Sequence, residues 1–326
     1  MSNASRGERA VTPRGVHPHD GTTQRPRFAQ VALIGVGLIG SSLARVLRRD
    51  GMAERIVACA RTEATRAKVM ELGIADAVTA DPAAAAAGAD LVVICTPLGA
   101  YADIMAAIAP VLSKGTIISD VGSAKLCVIR DCTPFLPQGV HLVPAHPVAG
   151  TEHSGPEAGF AELFEGRWCI LTPAAGTDQG AIDTIAAMWR AAGSTVEIMD
   201  AKHHDLVLAV TSHLPHLIAF NIVGTAADLE AVTESEVIKY SAGGFRDFTR
   251  IAASDPVMWR DIFLANREAV LEMLSRFNED LARLQRAIRW GDGETLRDLF
   301  TRTRHIRREI IDSGQAGPPQ AKPEDS

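Results

Sequence analysis

The sequence predicts an α/β fold: a doubly wound parallel sheet in the N-terminal part, followed by an all-helical domain. Three observations point there. Between about residues 27 and 200, short apolar, β-branched runs alternate with segments of helical periodicity, the pattern of a parallel sheet covered by helices on both faces. The first run enters a glycine-rich stretch, Gly35-Val36-Gly37-Leu38-Ile39-Gly40, that opens a helix. Beyond about Asp200 the strand signals stop and long helical patterns take over.

A chain of 326 residues is long enough for two domains with separate cores. Its composition is globular, 47% hydrophobic and 22% charged, and no uninterrupted apolar run reads as long enough to cross a bilayer. A net charge of −6 leaves no electrostatic footprint for nucleic acid or an anionic membrane, and solubility accounts for it. The five cysteines, Cys59, Cys95, Cys127, Cys132 and Cys169, are odd in number and form no C-x-x-C pair. Their apolar neighbours suit reduced thiols in a cytoplasmic protein rather than a disulfide framework or a metal site.

Taken in order, residues 1–26 are polar and aperiodic and read as a disordered tail without the apolar core of a secretory signal. Val31 to Ile34 is the first strand, and Leu38 to Arg49 has helical periodicity. Arg55 to Ala60, Leu91 to Thr96, Thr116 to Asp120 and Val140 to Val143 are further short strands bounded by turn residues. Asp81-Pro82 supplies a cap and a first-turn proline, so the alanines 83–87 form a short helix. Arg167 to Leu171 and Thr195 to Met199 are strands flanking a helix between Asp178 and Ala192. The domain boundary falls near residue 200, with the helical domain at 201–313 and a second polar tail at 314–326.

In the helical part, Ser254-Asp255-Pro256 opens a long helix expected to run to Trp290. Val270, Leu274, Phe277, Leu281, Leu284 and Ile288 step by four and three residues along one stripe. Such a seam either packs within its own domain or forms a homodimer interface, and its length favours the interface. Gly291 and Gly293 end this helix, and a last one spans Thr295 to about Asp312.

The chemistry begins at the glycines. Gly35 permits a tight turn out of the strand, Gly37 lets backbone approach a pyrophosphate, and Gly40 lets helix and strand pack closely. The N–H groups at Leu38 and Ile39 then face the phosphates of a dinucleotide in a Rossmann-type site. The second strand ends Ala60-Arg61-Thr62 without the acidic residue that would hold the ribose of NAD+. Arg61, with Thr62, would attract a 2′-phosphate, so NADP+ is favoured within a general NAD(P)+ assignment. Arg61 stacked on adenine would leave that choice open. Thr96-Pro97 ends a neighbouring strand and should approach the nicotinamide.

Ligands of a doubly wound sheet bind beyond the carboxyl ends of its strands, where Ser123 and His146 also fall. Histidine, ordinarily near neutral in pKa, suits removal of a hydroxyl proton, which marks His146 as the base, with Ser123 as its hydrogen-bond partner. Arg246 and Arg250, four apart after Gly243-Gly244-Phe245, can receive a carboxylate, or else form a salt-bridged solvent face. His213 and His216 flank Pro215 in an apolar segment; without Cys, Asp or Glu at ligand spacing they suggest hydrogen bonding to substrate rather than a metal. His203-His204-Asp205 reads as an exposed helix start.

Five motifs occur in one order between about residues 28 and 312: the Gly35–Gly40 turn, Asp120-Val121-Gly122-Ser123-Ala124-Lys125, His146-Pro147-Val148-Ala149-Gly150-Thr151-Glu152, Ser212-His213-Leu214-Pro215-His216, and Gly244-Phe245-Arg246-Asp247-Phe248-Thr249-Arg250. Together they resemble the prephenate and arogenate dehydrogenases of tyrosine biosynthesis. The resemblance implies that His146 is the base for the ring hydroxyl, oriented by Ser123, and that Arg250 binds a substrate carboxylate. It places Arg246, His216, Thr151 and Glu152 around the pocket, with Glu152 gating it or reading the side chain. It implies dimerisation through the helical domain, and leaves no room for a fused mutase or regulatory domain. Two rival readings are a β-hydroxyacid dehydrogenase and a dinucleotide-sensing protein without turnover. The first would use a lysine on a glycine-rich helix, and the second has no need of His146, Ser123 and the paired arginines together.

Overall fold

The structure, a computed structural model, describes residues 25–151, 153–233 and 242–312. Glu152 and nearly all of both expected tails lie outside them. Six strands form one parallel sheet: β1 (Phe28–Ile34), β2 (Ala53–Cys59), β3 (Ala77–Thr79), β4 (Leu91–Ile94), β5 (Ile117–Asp120) and β6 (His141–Val143), in the order β3-β2-β1-β4-β5-β6. The chain steps outward from β1 to β3, then returns to place β4 on the other side of β1. That reversal opens a crevice beyond the carboxyl ends of β1 and β4, the usual ligand site of such sheets. Helices α1 (Leu38–Arg49), α2 (Glu63–Glu71), α3 (Pro82–Ala86), α4 (Tyr101–Ile108) and α5 (Leu126–Cys132) connect the strands.

Apolar cores on both faces explain why the inner strands read as continuous apolar runs. Leu91 to Ile94 are all fully buried. On α1, Leu43, Val46 and Leu47 line one stripe against the sheet, the spacing that made this helix legible. Asp81 caps α3 by accepting from the Ala83 N–H, with Pro82 in the first turn as the sequence suggests.

A second sheet of three short strands leans against the first: β7 (Ala145–Pro147), β8 (Trp168–Leu171) and β9 (Thr195–Ile198). Strand β7 runs antiparallel to β8, and α6 (Gln179–Ala191) links β8 to β9. Three residues ending in proline are too short to show alternation, so β7 was invisible to pattern reading.

The remainder is helical: α7 (Ala201–Leu208), a π-turn over Ala209–His213, α8 (Leu214–Thr233), α9 (Gly243–Thr249), α10 (Pro256–Ala265), α11 (Arg267–Trp290) and α12 (Gly293–Ile310). The single helix expected from Pro256 to Trp290 is therefore two. The break is at Asn266, whose backbone leaves the helical region at φ −103°, ψ 31° while its buried amide turns to the site described below. Trp259 and Ile262 of α10 join the same core as Leu98, Tyr101 and Met105, so the helical part is packed onto the sheet rather than tethered to it.

The apolar stripe on α11 is divided. Val270, Leu274 and Phe277 pack inside the helical part, whereas Ile288 is 68% exposed, beside other open apolar groups such as Trp290 and Phe300. The stretch Ala201–Leu229 holds an 18-residue window that reaches a mean hydropathy of 1.7 and meets the length and composition of a membrane span, although polar residues such as Ser212, His213 and His216 interrupt the stretch. It also carries His204, Asp205 and His213 into the interior, as a helix of a folded domain does.

Candidate active site

The glycine turn after β1 has the geometry a dinucleotide requires. Gly35 lies at φ +98°, and a Cβ there would stand 2.8 Å from the Cys95 backbone, so conformation and crowding both demand glycine. A Cβ on Gly40 would run into the Gly35 carbonyl oxygen, which fixes how closely α1 approaches the turn. Gly37 differs: a Cβ there would meet nothing within 4 Å. It occupies the cap of α1, and the first helical N–H with an acceptor is that of Ser41, bonded to the Gly37 carbonyl at 2.9 Å. The N–H groups of Leu38, Ile39 and Gly40 thus remain for a ligand, and the open side of Gly37 gives a pyrophosphate access to them. The fit to NAD(P)+ is good.

Next to it, Arg61 is exposed at the end of β2, beyond buried Ala60. Arg66 is already engaged, donating to the carbonyls of Ala60 at 2.8 Å and Arg61 at 2.7 Å and pairing with Glu63. The Thr62 side chain caps α2 by accepting from the Thr65 N–H. Thr96 lies against Gly35, and its hydroxyl donates weakly to the Pro97 carbonyl at 3.4 Å.

His146 stands on β7, next to the carboxyl end of β5, because Asp120 accepts from the Ala145 N–H at 3.1 Å. The residue is 6% exposed. Its Nδ1 lies 2.8 Å from His204 Nε2, and His204 Nδ1 lies 2.8 Å from Asp205 Oδ1. Asp205 also accepts from the backbone N–H of Lys125 at 2.7 Å and of Leu126 at 3.0 Å, which locks α7 to the start of α5. Beneath them, Lys125 is fully buried, with Nζ 2.6 Å from Asp120 and 2.7 Å from the Ala145 carbonyl.

Burial holds the His146 imidazolium well below the usual histidine range, and His204, Lys125 and His213 add to the effect. His204 is also lowered, burial outweighing its bond to Asp205. His146 is therefore neutral near pH 7, the form that can accept a proton.

On the helical side, His213 is fully buried and its Nδ1 is 3.1 Å from the Asn266 amide nitrogen, while that amide also donates to the Asp205 carbonyl at 2.8 Å. Burial pushes His213 down to about 4. His216 Nδ1 donates to the Ser212 carbonyl at 2.8 Å, and the ring stacks on Trp259 at 3.7 Å. Arg250 is near enough for its charge to lower His216, after burial, the larger cause. Arg246 and Arg250 are both exposed in the single chain. Thr151 is exposed on the loop after β7, its hydroxyl accepting from the His153 N–H at 3.3 Å.

Two placements differ from expectation. The ring partner of His146 is His204, whereas half-buried Ser123 makes no hydrogen bond to it. His203-His204-Asp205 is not an exposed helix start, since only His203 faces solvent. A signal was present: Ala201, His204, Asp205 and Leu208 share the i, i+3, i+4, i+7 spacing of one helix face, and all four are buried. Asn266 had no such signal, because its partners Asp205 and His213 lie 61 and 53 positions away; Lys125 and Asp120, five apart within one motif, were in view but given no role.

Comparison with known proteins identifies the family of this fold. Residues 43–198 match the prephenate dehydrogenase nucleotide-binding domain, and residues 200–302 match the prephenate dehydrogenase dimerization domain. The cyclohexadienyl dehydrogenase of Zymomonas mobilis is 44% identical over 86% of this chain and 95% of its own length. The prephenate dehydrogenase of Bacillus subtilis is 30% identical over 85% of this chain and 75% of its own. The crystal structure of prephenate dehydrogenase from A. aeolicus in complex with hydroxyphenyl propionate and NAD+ superposes with a TM-score of 0.81 at 34% identity, covering 89% of this chain and 100% of that one. With both domain families matched in order along one α/β-then-helical fold, the chain belongs to the prephenate dehydrogenase family.

Proposed function

We propose that this chain is an NAD(P)+-dependent dehydrogenase that oxidatively decarboxylates prephenate, and also arogenate, in tyrosine biosynthesis. The observation that carries the reading is His146: a nearly buried, neutral imidazole at the same end of the sheet as the glycine turn, faced by the helical part. His146 takes the proton of the substrate's ring C4 hydroxyl as hydride leaves the same carbon. The nicotinamide, when bound beyond β4 and β5, supplies the hydride acceptor. The ring then loses its C1 carboxylate as CO2 and becomes aromatic, giving 4-hydroxyphenylpyruvate from prephenate or tyrosine from arogenate. Aromatisation makes the step effectively irreversible, so the protein's task is positioning.

Arg250 receives a substrate carboxylate beside His216, with Arg246, His213, Thr151 and Glu152 completing the pocket and Ser123 lining its sheet side. Arg61 favours the 2′-phosphate of NADP+. The open apolar groups of α11 and α12 suit a homodimer, and five cysteines without a disulfide suit a reducing cytoplasm. The test is dinucleotide reduction followed by absorbance, with prephenate and arogenate each against NAD+ and NADP+ and a β-hydroxyacid as control. Reduction with the β-hydroxyacid alone, or with none of the three, refutes the proposal.

A further inference from the structure

Resting on that reading, we infer that His204 and Asp205 are the positioning pair that fixes the tautomer of His146 and shares the proton it takes. The chain of bonds has one consistent assignment. Both oxygens of the Asp205 carboxylate already accept backbone N–H groups, so it faces His204 as an acceptor. His204 therefore donates from Nδ1, which leaves its Nε2 as a lone pair. That lone pair lies 2.8 Å from His146 Nδ1, so His146 must donate from Nδ1. Its Nε2 is then the basic atom, and among the described residues no hydrogen bond occupies it. Without the pair, the ring would be free to adopt the Nε2–H tautomer, in which the nitrogen toward the cleft is a donor and cannot act as the base.

The same geometry gives the proton a place to go. As His146 Nε2 gains the substrate hydroxyl proton, the Nδ1 proton can shift to His204 Nε2. His146 is then neutral again, and the positive charge rests on His204 against Asp205. Among the described residues, three other titratable groups nearby are not available for this role. Lys125 is tied to Asp120 and the Ala145 carbonyl, His213 is engaged with Asn266, and Cys169 on β8 is held protonated by burial.

The experiment combines substitution with nitrogen NMR of the full-length protein labelled in histidine. His204→Ala should lower kcat about 10²-fold or more while KM for prephenate and dinucleotide affinity change little. His204→Gln, whose amide can accept from His146 and donate to Asp205, should recover part of that loss by restoring orientation alone. In the unsubstituted protein at neutral pH, the nitrogen shifts should report Nδ1–H for both His146 and His204. An Nε2–H ring at His146, or kcat in His204→Ala within about 3-fold of the parent, overturns the inference. Equal loss in the Ala and Gln variants also overturns it. Absence of any turnover by the parent protein would instead refute the proposed function, leaving the tautomer measurement to decide this point separately.

Discussion

Replacing Lys125 by methionine should both destabilise the protein and shift the acid limb of its activity. Met has similar length and no charge, so the perturbation is mainly electrostatic. Lys125 and Asp120 are 0% and 1% exposed, with a 2.6 Å contact between them. Removing one member of a buried pair costs about 3–5 kcal/mol, because the other charge stays behind without its counter-ion. Here Asp120 keeps hydrogen bonds from the Gly122 N–H at 2.8 Å, the Ala145 N–H at 3.1 Å and the Tyr101 hydroxyl at 3.2 Å. Those contacts place the loss at the lower end, about 3 kcal/mol, or roughly 6–12 °C in Tm for a cooperative unit of this size. The double variant Lys125→Met/Asp120→Asn should recover part of it, since no buried charge remains.

Activity gives an independent reading. Lys125 is one of the charges holding His146 low, after burial and His204. Its loss lets the His146 pKa rise, so the base becomes protonated at higher pH and the acid limb of kcat/KM moves upward. Thermal unfolding by circular dichroism and a pH series of initial rates check both parts. A Tm within about 2 °C of the parent would refute the buried-charge reasoning, and a double variant no more stable than the single one would show that charge is not the cause.

Four further outcomes are expected. His146→Asn should lower kcat by about 10²–10⁴-fold with dinucleotide binding intact, measured by steady-state rates and fluorescence titration. Gly37→Ala should weaken the dinucleotide while leaving Tm nearly unchanged, because its Cβ enters the open side of the turn; Gly35→Ala, at φ +98° against Cys95, should instead lose about 1–3 kcal/mol of stability. Arg61→Ala should raise KM for NADP+ much more than for NAD+, and equal effects would remove the argument for a 2′-phosphate contact. Stability should fall as pH drops from about 6.5 toward 4: the folded pKa of His213 is depressed to about 4, so the unfolded chain binds more protons in that window. That ring alone accounts for about 3 kcal/mol, with His146 and His204 acting in the same direction, and urea unfolding at pH 7.5 and 4 measures it.

Much of the fold was legible because its signals are local. Leu38–Arg49 has the apolar spacing of a helix on a sheet, Asp81-Pro82 announces α3, and the run that became β4 is apolar throughout. The glycine turn was equally clear, since tight turns select glycine by backbone sterics that neighbours alone impose. The break at Asn266 was not legible. No residue there opposes helix strongly, and the chain bends because the Asn266 amide is held by Asp205 and His213, 61 and 53 positions away.

The site divides along the same line. The candidate residues and their order, His146 after the strands and His213, His216, Arg246 and Arg250 in the helical part, can be named from the sequence, because motif chemistry is written in adjacent positions. Which atom His146 leans on does not. Its partner is His204, 58 residues on, brought there by α7 docking against the start of α5. An imidazole's tautomer and basicity depend on what lies within a few ångströms and on how much water is excluded, and packing alone decides both.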